Sequence, residues 1–435
     1  SEGTRYTQAY VPMPSCSPSR GGMMTGRFPH RLGLYNYIQR DTSAHLMDDE
    51  ITFAKILQEN GYETCFVGKW GLNSRDDFKN QPTPADHGFD YWLATQNNAL
   101  PTHENPVNYV RNGEALGEVE GYSVQIIVDE AIEWLANRED KAKPFCLVVW
   151  PHEPHLKLGH PEEYERLYDG EGLAERTVEY NANVSHLDAQ LGRLLATVDE
   201  MGYKDDTFAF FTSDNGAHEA HKNIVGSSGI YRGGKGVLYE GGIRMPTIIR
   251  WPAVLEPGTM DNTIVSTMDL LPTICEIASV PVPSEREIDG VSLYGHLRGE
   301  RLEREEPLFF ADVSVRVALR DGDWKLLAAY QPSKGYSDML TYLRNRKILG
   351  LETTGRWAPQ LYNLKDDPSE TNNVVAQYSD IAQSMLEKAG EMSREIQHDM
   401  PDQPQEHFIP KKHFLRLSEG NPDMPLPATY NNFKY

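Results

Sequence analysis

A chain of 435 residues is longer than one small core requires and predicts two domains, or one large domain with an appendage. Its 39% hydrophobic and 24% charged residues are ordinary for a globular protein, and no run approaches the ~18 consecutive apolar residues that a membrane-spanning helix needs. A net charge of −22 repels nucleic acids and anionic membranes at long range, which excludes a nucleic-acid partner and means that any anionic ligand must meet a local cluster of Lys and Arg.

In chain order, the first feature is Cys16-Ser17-Pro18-Ser19-Arg20, followed by Thr25-Gly26-Arg27. Pro18 suits the start of a helix. A helix N-terminus collects anions, and the Arg20 guanidinium offers a fork of donors matched to an oxyanion. A nucleophile at Cys16 would then face a bound oxyanion. Residues 63–68, 144–150, 207–212 and 246–250 are short, apolar and rich in β-formers, and predict strands covered on both faces. Between them, Val184, Leu187, Leu191, Leu194 and Val198 fall on one helix face. Strands alternating with helices predict an α/β domain with a mostly parallel sheet flanked by helices. Ligands of such sheets gather at the carboxyl ends of the strands. Lys69, His152 and the pair Asp214-Asn215 each follow one of these runs, so they should share one edge of the sheet. Cys65, Cys146 and Cys275 sit in apolar runs and read as buried thiols, and the four cysteines form no zinc or redox spacing.

After about residue 300 the texture changes. Residues 307–313, 315–329 and 360–364 predict an antiparallel meander turning at Asp321-Gly322-Asp323, and 379–398 predict an amphipathic helix. The expected division is a larger domain over 1–300 and a smaller α+β subdomain over 301–435, whose last 35 residues wrap the surface.

The pattern Cys-x-Pro-Ser-Arg-x4-Thr-Gly resembles the signature of the type I, formylglycine-dependent sulfatases of the alkaline phosphatase superfamily. Further blocks resemble that family in order along nearly the whole chain: Gly68-Lys69-Trp70, Pro151-His152-Glu153-Pro154, Ser213-Asp214-Asn215-Gly216, Arg232-Gly233-Gly234-Lys235 with Tyr239-Glu240-Gly241-Gly242-Ile243-Arg244, and Leu361-Tyr362-Asn363-Leu364. The blocks look most like those of bacterial carbohydrate sulfatases. The resemblance implies an enzyme that hydrolyses sulfate esters of a sulfated glycan. It implies that a formylglycine-generating enzyme oxidises Cys16, and that one divalent cation, calcium, is held by the residue at 16 with Asp214 and Asn215. Arg20, Lys69, His152 and Lys235 would complete the catalytic set, with His152 or Lys235 protonating the leaving oxygen. His155, Arg232 and Arg316 are candidate substrate-binding residues, and Trp92, Tyr109, Trp357 and Tyr362 candidate sugar-stacking faces.

Two departures stand out. The family carries a pair of aspartates on a strand ahead of the cysteine motif, and here the 15 residues before Cys16 contain no Asp, so that strand is expected to be missing from the sequence. The family's Gly-Lys-Trp-His reads Gly68-Lys69-Trp70-Gly71, and His30, His87 and His103 are the candidates to replace the lost histidine. Two alternatives follow: a phosphoesterase of the same superfamily, against which Cys16 argues because phosphate-directed relatives carry Ser or Thr there, and a catalytically impaired glycan-binding relative. Relatives that degrade glycans imply a periplasmic or secreted protein, although the opening Ser1-Glu2-Gly3-Thr4 is no leader peptide.

Overall fold

Short runs of β-branched and aromatic residues form the strands, which fall into three sheets. The computed structural model describes residues 2–218, 226–312, 316–329 and 359–399. One sheet joins Thr4–Tyr10 (β1), Ala209–Phe211 (β7), Arg244–Arg250 (β8) and Met260–Ser266 (β9) in the order β7-β8-β1-β9. A second joins Glu63–Lys69 (β2), Tyr91–Thr95 (β3), Tyr109–Arg111 (β4), Glu114–Gly117 (β5) and Phe145–Trp150 (β6) in the order β5-β4-β3-β2-β6. Pairing is mixed. β2 is parallel to β3 and β6, and β1 to β9, whereas β8 runs antiparallel to both β1 and β7.

Helices cover the second sheet on both sides, which is what its apolar runs require. On one face Ser123–Asn137 (α3) and Glu175–Glu200 (α4) bury Val124, Ile127, Leu135, Leu194 and Val198 against Cys65, Val67 and Leu93. Of the helix face read from sequence, Leu194 and Val198 point inward, whereas Val184 is exposed. On the other face Cys16–Thr25 (α1), Phe53–Glu59 (α2) and Leu270–Ile277 (α6) pack Met24, Phe53 and Leu271 with Phe66, Trp70 and Trp92. Glu240–Ile243 (α5) and Tyr294–Leu297 (α7) are single turns. None of the cysteines is paired, and no helix among the described residues is long and apolar enough to cross a membrane.

The C-terminal sheet is antiparallel, with Leu308–Ala311 (β10), Arg316–Asp321 (β11), Trp324–Ala329 (β12) and Gln360–Asn363 (β13) in chain order. The run 315–329 is two strands, because Gly322 turns the chain with a φ of 51°. Ser379–His398 (α8) lies on β11 and β12. The expected surface-wrapping tail falls outside the described residues.

Among the described residues β6 pairs only with β2, and β7 only with β8. Both edge strands line one cavity of about 3330 Å³. The apolar residues of β6 are only half-buried as a result.

Candidate active site

Cys16 is the first residue of α1, and Ser15 at the N-cap gives no side-chain cap to the helix. Pro18 stands in the first turn, where its missing N–H removes no helical hydrogen bond. Free helix amides and two lysines therefore converge at this end. Lys235 Nζ lies 3.3 Å from Cys16 Sγ and Lys69 Nζ lies 3.7 Å from it. Lys69 ends β2 and also donates to Asn98 Oδ1 at 3.2 Å. The Cys16 thiol donates to Asn215 Oδ1 at 3.5 Å. Arg20 donates from Nε and Nη2 to Asp214 Oδ2, both at 2.9 Å, and from Nη1 to the Lys69 carbonyl at 2.7 Å. Its guanidinium lies 4.6 Å from the centre of the Trp150 ring.

Three cations thus surround one carboxylate and one thiol. Burial pushes the Cys16 thiol up, but Lys235 and Lys69 outweigh it and leave the thiol below its ordinary value. Burial also raises Asp214, yet Arg20, Lys69 and Lys235 hold it well below the usual carboxylate range. Lys69 is lowered, by burial first and then by Arg20 and Lys235. Such a cluster of excess positive charge at a helix N-terminus suits a tetrahedral oxyanion with three oxygens to share.

The two histidines of the 151–155 segment differ. His152 is buried, and its Nε2 lies 2.8 Å from Thr95 Oγ1. Because the Thr95 hydroxyl donates to the Asn97 carbonyl, Nε2 of His152 is assigned the proton. His155 is half-buried, and its Nδ1 lies 2.9 Å from the Leu156 carbonyl, which fixes the hydrogen on Nδ1 and leaves the Nε2 lone pair free to accept. Burial lowers both, and nearby cations and rings lower them further, His103 and then Lys69 for His152. For His155 those are Lys235 first, then Lys69.

Gly71 has a φ of 74°, and a β-carbon there would lie 3.3 Å from Arg20 Cδ. Arg20 therefore leans on bare backbone where a histidine was expected. Of the proposed substitutes, His30 stacks on Phe28 and His87 packs on Trp70, both in the core. His103 is buried beside His152, with ring centres 6.2 Å apart, and its Nδ1 is 3.5 Å from Glu153 Oε1.

Other expectations are redistributed. Cys16, Arg20, Lys69, His152, His155, Asp214, Asn215 and Lys235 line one cavity. Arg232 and Arg316 are not among its lining residues. Arg232 stacks on Tyr239 and donates to the Tyr362 hydroxyl and the Glu370 carbonyl, and Arg316 pairs with Asp312 on the C-terminal sheet. Trp92, Tyr109 and Tyr362 are buried core residues and offer no sugar face, since strand aromatics fill the sheet interfaces. Trp357 lies outside the described residues. Asn98 and Trp150 were missed. Asn98 follows β3, whose carboxyl end meets the same edge as Lys69, and that rule would have found it.

Asp214 and Asn215 offer hard oxygen donors of the kind that calcium takes. Among the described residues no group of three or more His, Cys, Asp or Glu could hold a metal ion, so the set fits in kind and falls short in number.

Comparison with known proteins places these observations. A family model described as Sulfatase matches residues 1–280, and one described as N-sulphoglucosamine sulphohydrolase, C-terminal, matches residues 226–337. N-acetylgalactosamine-6-sulfatase of Mus musculus is 28% identical over 93% of this chain and 81% of its own length. Arylsulfatase A of Homo sapiens is 29% identical over 86% and 76%. The crystal structure of Ps i-CgsB in complex with k-i-k-neocarrahexaose shares the fold, with a TM-score of 0.79 and 24% identity over 96% of this chain and 90% of that one.

Proposed function

This chain belongs to the sulfatase family and is a sulfuric ester hydrolase, and from that premise we propose that it removes sulfate from a sulfated carbohydrate outside the cytoplasm, in the periplasm or secreted. The observation that carries the reading is the convergence of Lys69 and Lys235 on Cys16 at the start of α1. Solved structures that share the fold include BT4656 in complex with its substrate D-glucosamine-2-N,6-O-disulfate and Ps i-CgsB in complex with k-i-k-neocarrahexaose, which supports a sulfated carbohydrate as the substrate class.

Cys16 is proposed as the site of formylglycine, made by a separate formylglycine-generating enzyme. Formylglycine there supplies a hydrated aldehyde as an oxygen nucleophile. A divalent cation, calcium by its oxygen donors, would sit on Asp214 and Asn215 and supply charge neutralisation. Calcium takes six to eight oxygens, so these two residues are only part of its shell. Among the described residues β6 and β7 are unpaired sheet edges that line the same cavity as Asp214 and Asn215.

This chain's own side chains have separable tasks. Lys69 and Lys235 hold the sulfuryl oxygens and neutralise charge that grows in the transition state. Arg20, fixed by Asp214, the Lys69 carbonyl and Trp150, steadies the group at position 16. Lys235 gives a proton to the departing sugar oxygen. His155, neutral and with Nε2 free, accepts a proton beside the same oxygens, and so takes over the task left vacant at Gly71. His152 orients the loop from behind through Thr95.

The test is free sulfate released from a panel of sulfated oligosaccharides and polysaccharides by protein co-produced with a formylglycine-generating enzyme, with Cys16→Ala as control. Release by the parent alone is expected. No release from any carbohydrate, with formylglycine verified by peptide mass, would overturn the substrate class.

A further inference from the structure

We propose that Lys325, Glu240 and Glu370 form a buried clamp by which the C-terminal sheet holds Lys235 against Cys16, which makes Lys325 and Glu240 positioning residues for the sulfate site. The proposal rests on reading Lys235 as a sulfate-holding residue.

Lys325 projects from β12, and its Nζ lies 2.9 Å from both Glu240 Oε1 and Glu370 Oε1. All three side chains have 0% exposure. Glu240 Oε2 accepts from the Tyr10 hydroxyl at 2.8 Å and from Arg244 Nη1 at 3.2 Å. The Glu240 backbone N–H donates to Glu370 Oε2 at 2.6 Å. Two cations thus balance two carboxylates: Lys325 donates a hydrogen bond to Glu240 Oε1 and meets Glu370 Oε1 as an ion pair without hydrogen-bond alignment. A buried ionic group of this kind has to be fully paired to persist, and its geometry then fixes one register between the elements that carry it.

The segment so fixed is the one that bears Lys235. Lys235 N–H donates to the Ala217 carbonyl at 2.8 Å, and Gly236 N–H to the Pro14 carbonyl at 2.9 Å. Gly241 N–H returns to the Arg232 carbonyl at 2.9 Å, and Gly216 N–H reaches the Gly242 carbonyl at 3.1 Å. Residues 232–242 therefore touch the chain two residues before Cys16 and the chain just after Asn215. A shift of Glu240 moves this hub as a unit, because β-carbons on Gly241 and Gly242 would lie 2.1 and 2.0 Å from carbonyl oxygens of the same loop. Arg232 repeats the attachment through Tyr362 and the Glu370 carbonyl.

The experiment compares the parent, Glu370→Gln and the double variant Lys325→Met/Glu370→Gln, all matured with a formylglycine-generating enzyme. The double variant removes one charge of each sign, so Glu240 keeps Arg244 and Tyr10 and the fold is retained. Two quantities are read: kcat and KM for sulfate release, and amide hydrogen exchange by segment. In the double variant kcat is expected to fall about tenfold to a hundredfold, the cost of small misplacement, with KM changed less than about threefold. Exchange over 232–242 should speed about tenfold or more while exchange over 63–69 stays put. Glu370→Gln alone keeps Lys325 on Glu240 and should stay within about threefold of the parent in kcat. Unchanged loop exchange in the folded double variant, or equal loosening of every element, overturns the clamp. If the parent cleaves no sulfate ester, the reading of the site fails, and the exchange data still decide the clamp.

Discussion

Around Cys16, the cations Arg20, Lys69 and Lys235 share one carboxylate, Asp214, whereas around Lys325 the carboxylates Glu240 and Glu370 meet the cations Lys325 and Arg244. Lys325, Glu240 and Glu370 are fully buried, and of the charged groups around Cys16 only Asp214 and Lys235 are half-buried, so the telling difference is one of balance. Among the described residues the first sets three cations against one carboxylate, and an incoming sulfate would meet that surplus. The second is neutral and leaves no capacity for a ligand. A charged cluster thus reads as a binding site when its charges fail to cancel, and as a brace when they do.

The comparison breaks most visibly if one charge is removed from the balanced cluster. Lys325→Met leaves two buried carboxylates with one cation, and should cost about 3–5 kcal/mol in unfolding free energy. Adding Glu370→Gln restores balance and should recover most of that loss, measured by denaturant unfolding. A single variant no less stable than the double one would show that the cluster's balance is not what holds it.

In the unbalanced cluster the same kind of substitution should do the opposite. Lys235→Met removes one donor aimed at the developing sulfate charge, and should lower kcat/KM about 10²–10³-fold. Stability should stay level or rise, because Lys69 loses a repulsive neighbour. Steady-state kinetics beside thermal unfolding checks both. Equal losses in activity and stability would place Lys235 in a structural role.

The unbalanced cluster was largely legible in the sequence and the balanced one was not. Cys16 and Arg20 lie within five residues, and Lys69 and Asp214 each follow an apolar strand, so local pattern and the carboxyl-end rule point to them. Glu240, Lys325 and Glu370 are separated by 85 and 45 residues, and no local periodicity links them. Their pairing comes from the docking of the C-terminal sheet on the Lys235 loop. Trp92 and Tyr109 misled for a related reason: an aromatic residue at a sugar face and one in a sheet interface look alike in sequence. His155 was legible as a neighbour of the motif, but its tautomer came only from the Leu156 carbonyl.

A buried group whose neighbouring carboxylate, Asp86, does not offset its burial sharpens the contrast through pH. His87 is fully buried against Trp70, and burial lowers it from 6.5 to about 4. Below pH 6.5 the unfolded chain binds this proton and the native state does not, so stability is complete above 6.5 and falls as pH drops toward 4. The expected loss is about 2 kcal/mol at pH 5. Unfolding of the parent and His87→Leu at pH 5 and 7.5 measures it, and the variant should lose that part of the pH dependence. An unchanged pH dependence would mean that His87 binds its proton in the folded protein as readily as in the unfolded chain.

The smallest effect belongs to ion pairs in water. Arg193 on α4 and Asp129 on α3 pair at 2.5 Å with side chains 44% and 52% exposed, a separation shorter than the pairs around Lys325. If proximity set the energy, this pair would outrank the clamp. Solvent screens it, however, and two long side chains lose freedom to make it, so Arg193→Ala should change unfolding free energy by less than about 1 kcal/mol, and by less still at high salt. A loss comparable with that of Lys325→Met would mean that distance alone governs these pairs. The expected gap between the two variants isolates what burial adds: a partner lost in water is replaced by water, while a partner lost in the core leaves a charge with nothing to meet it.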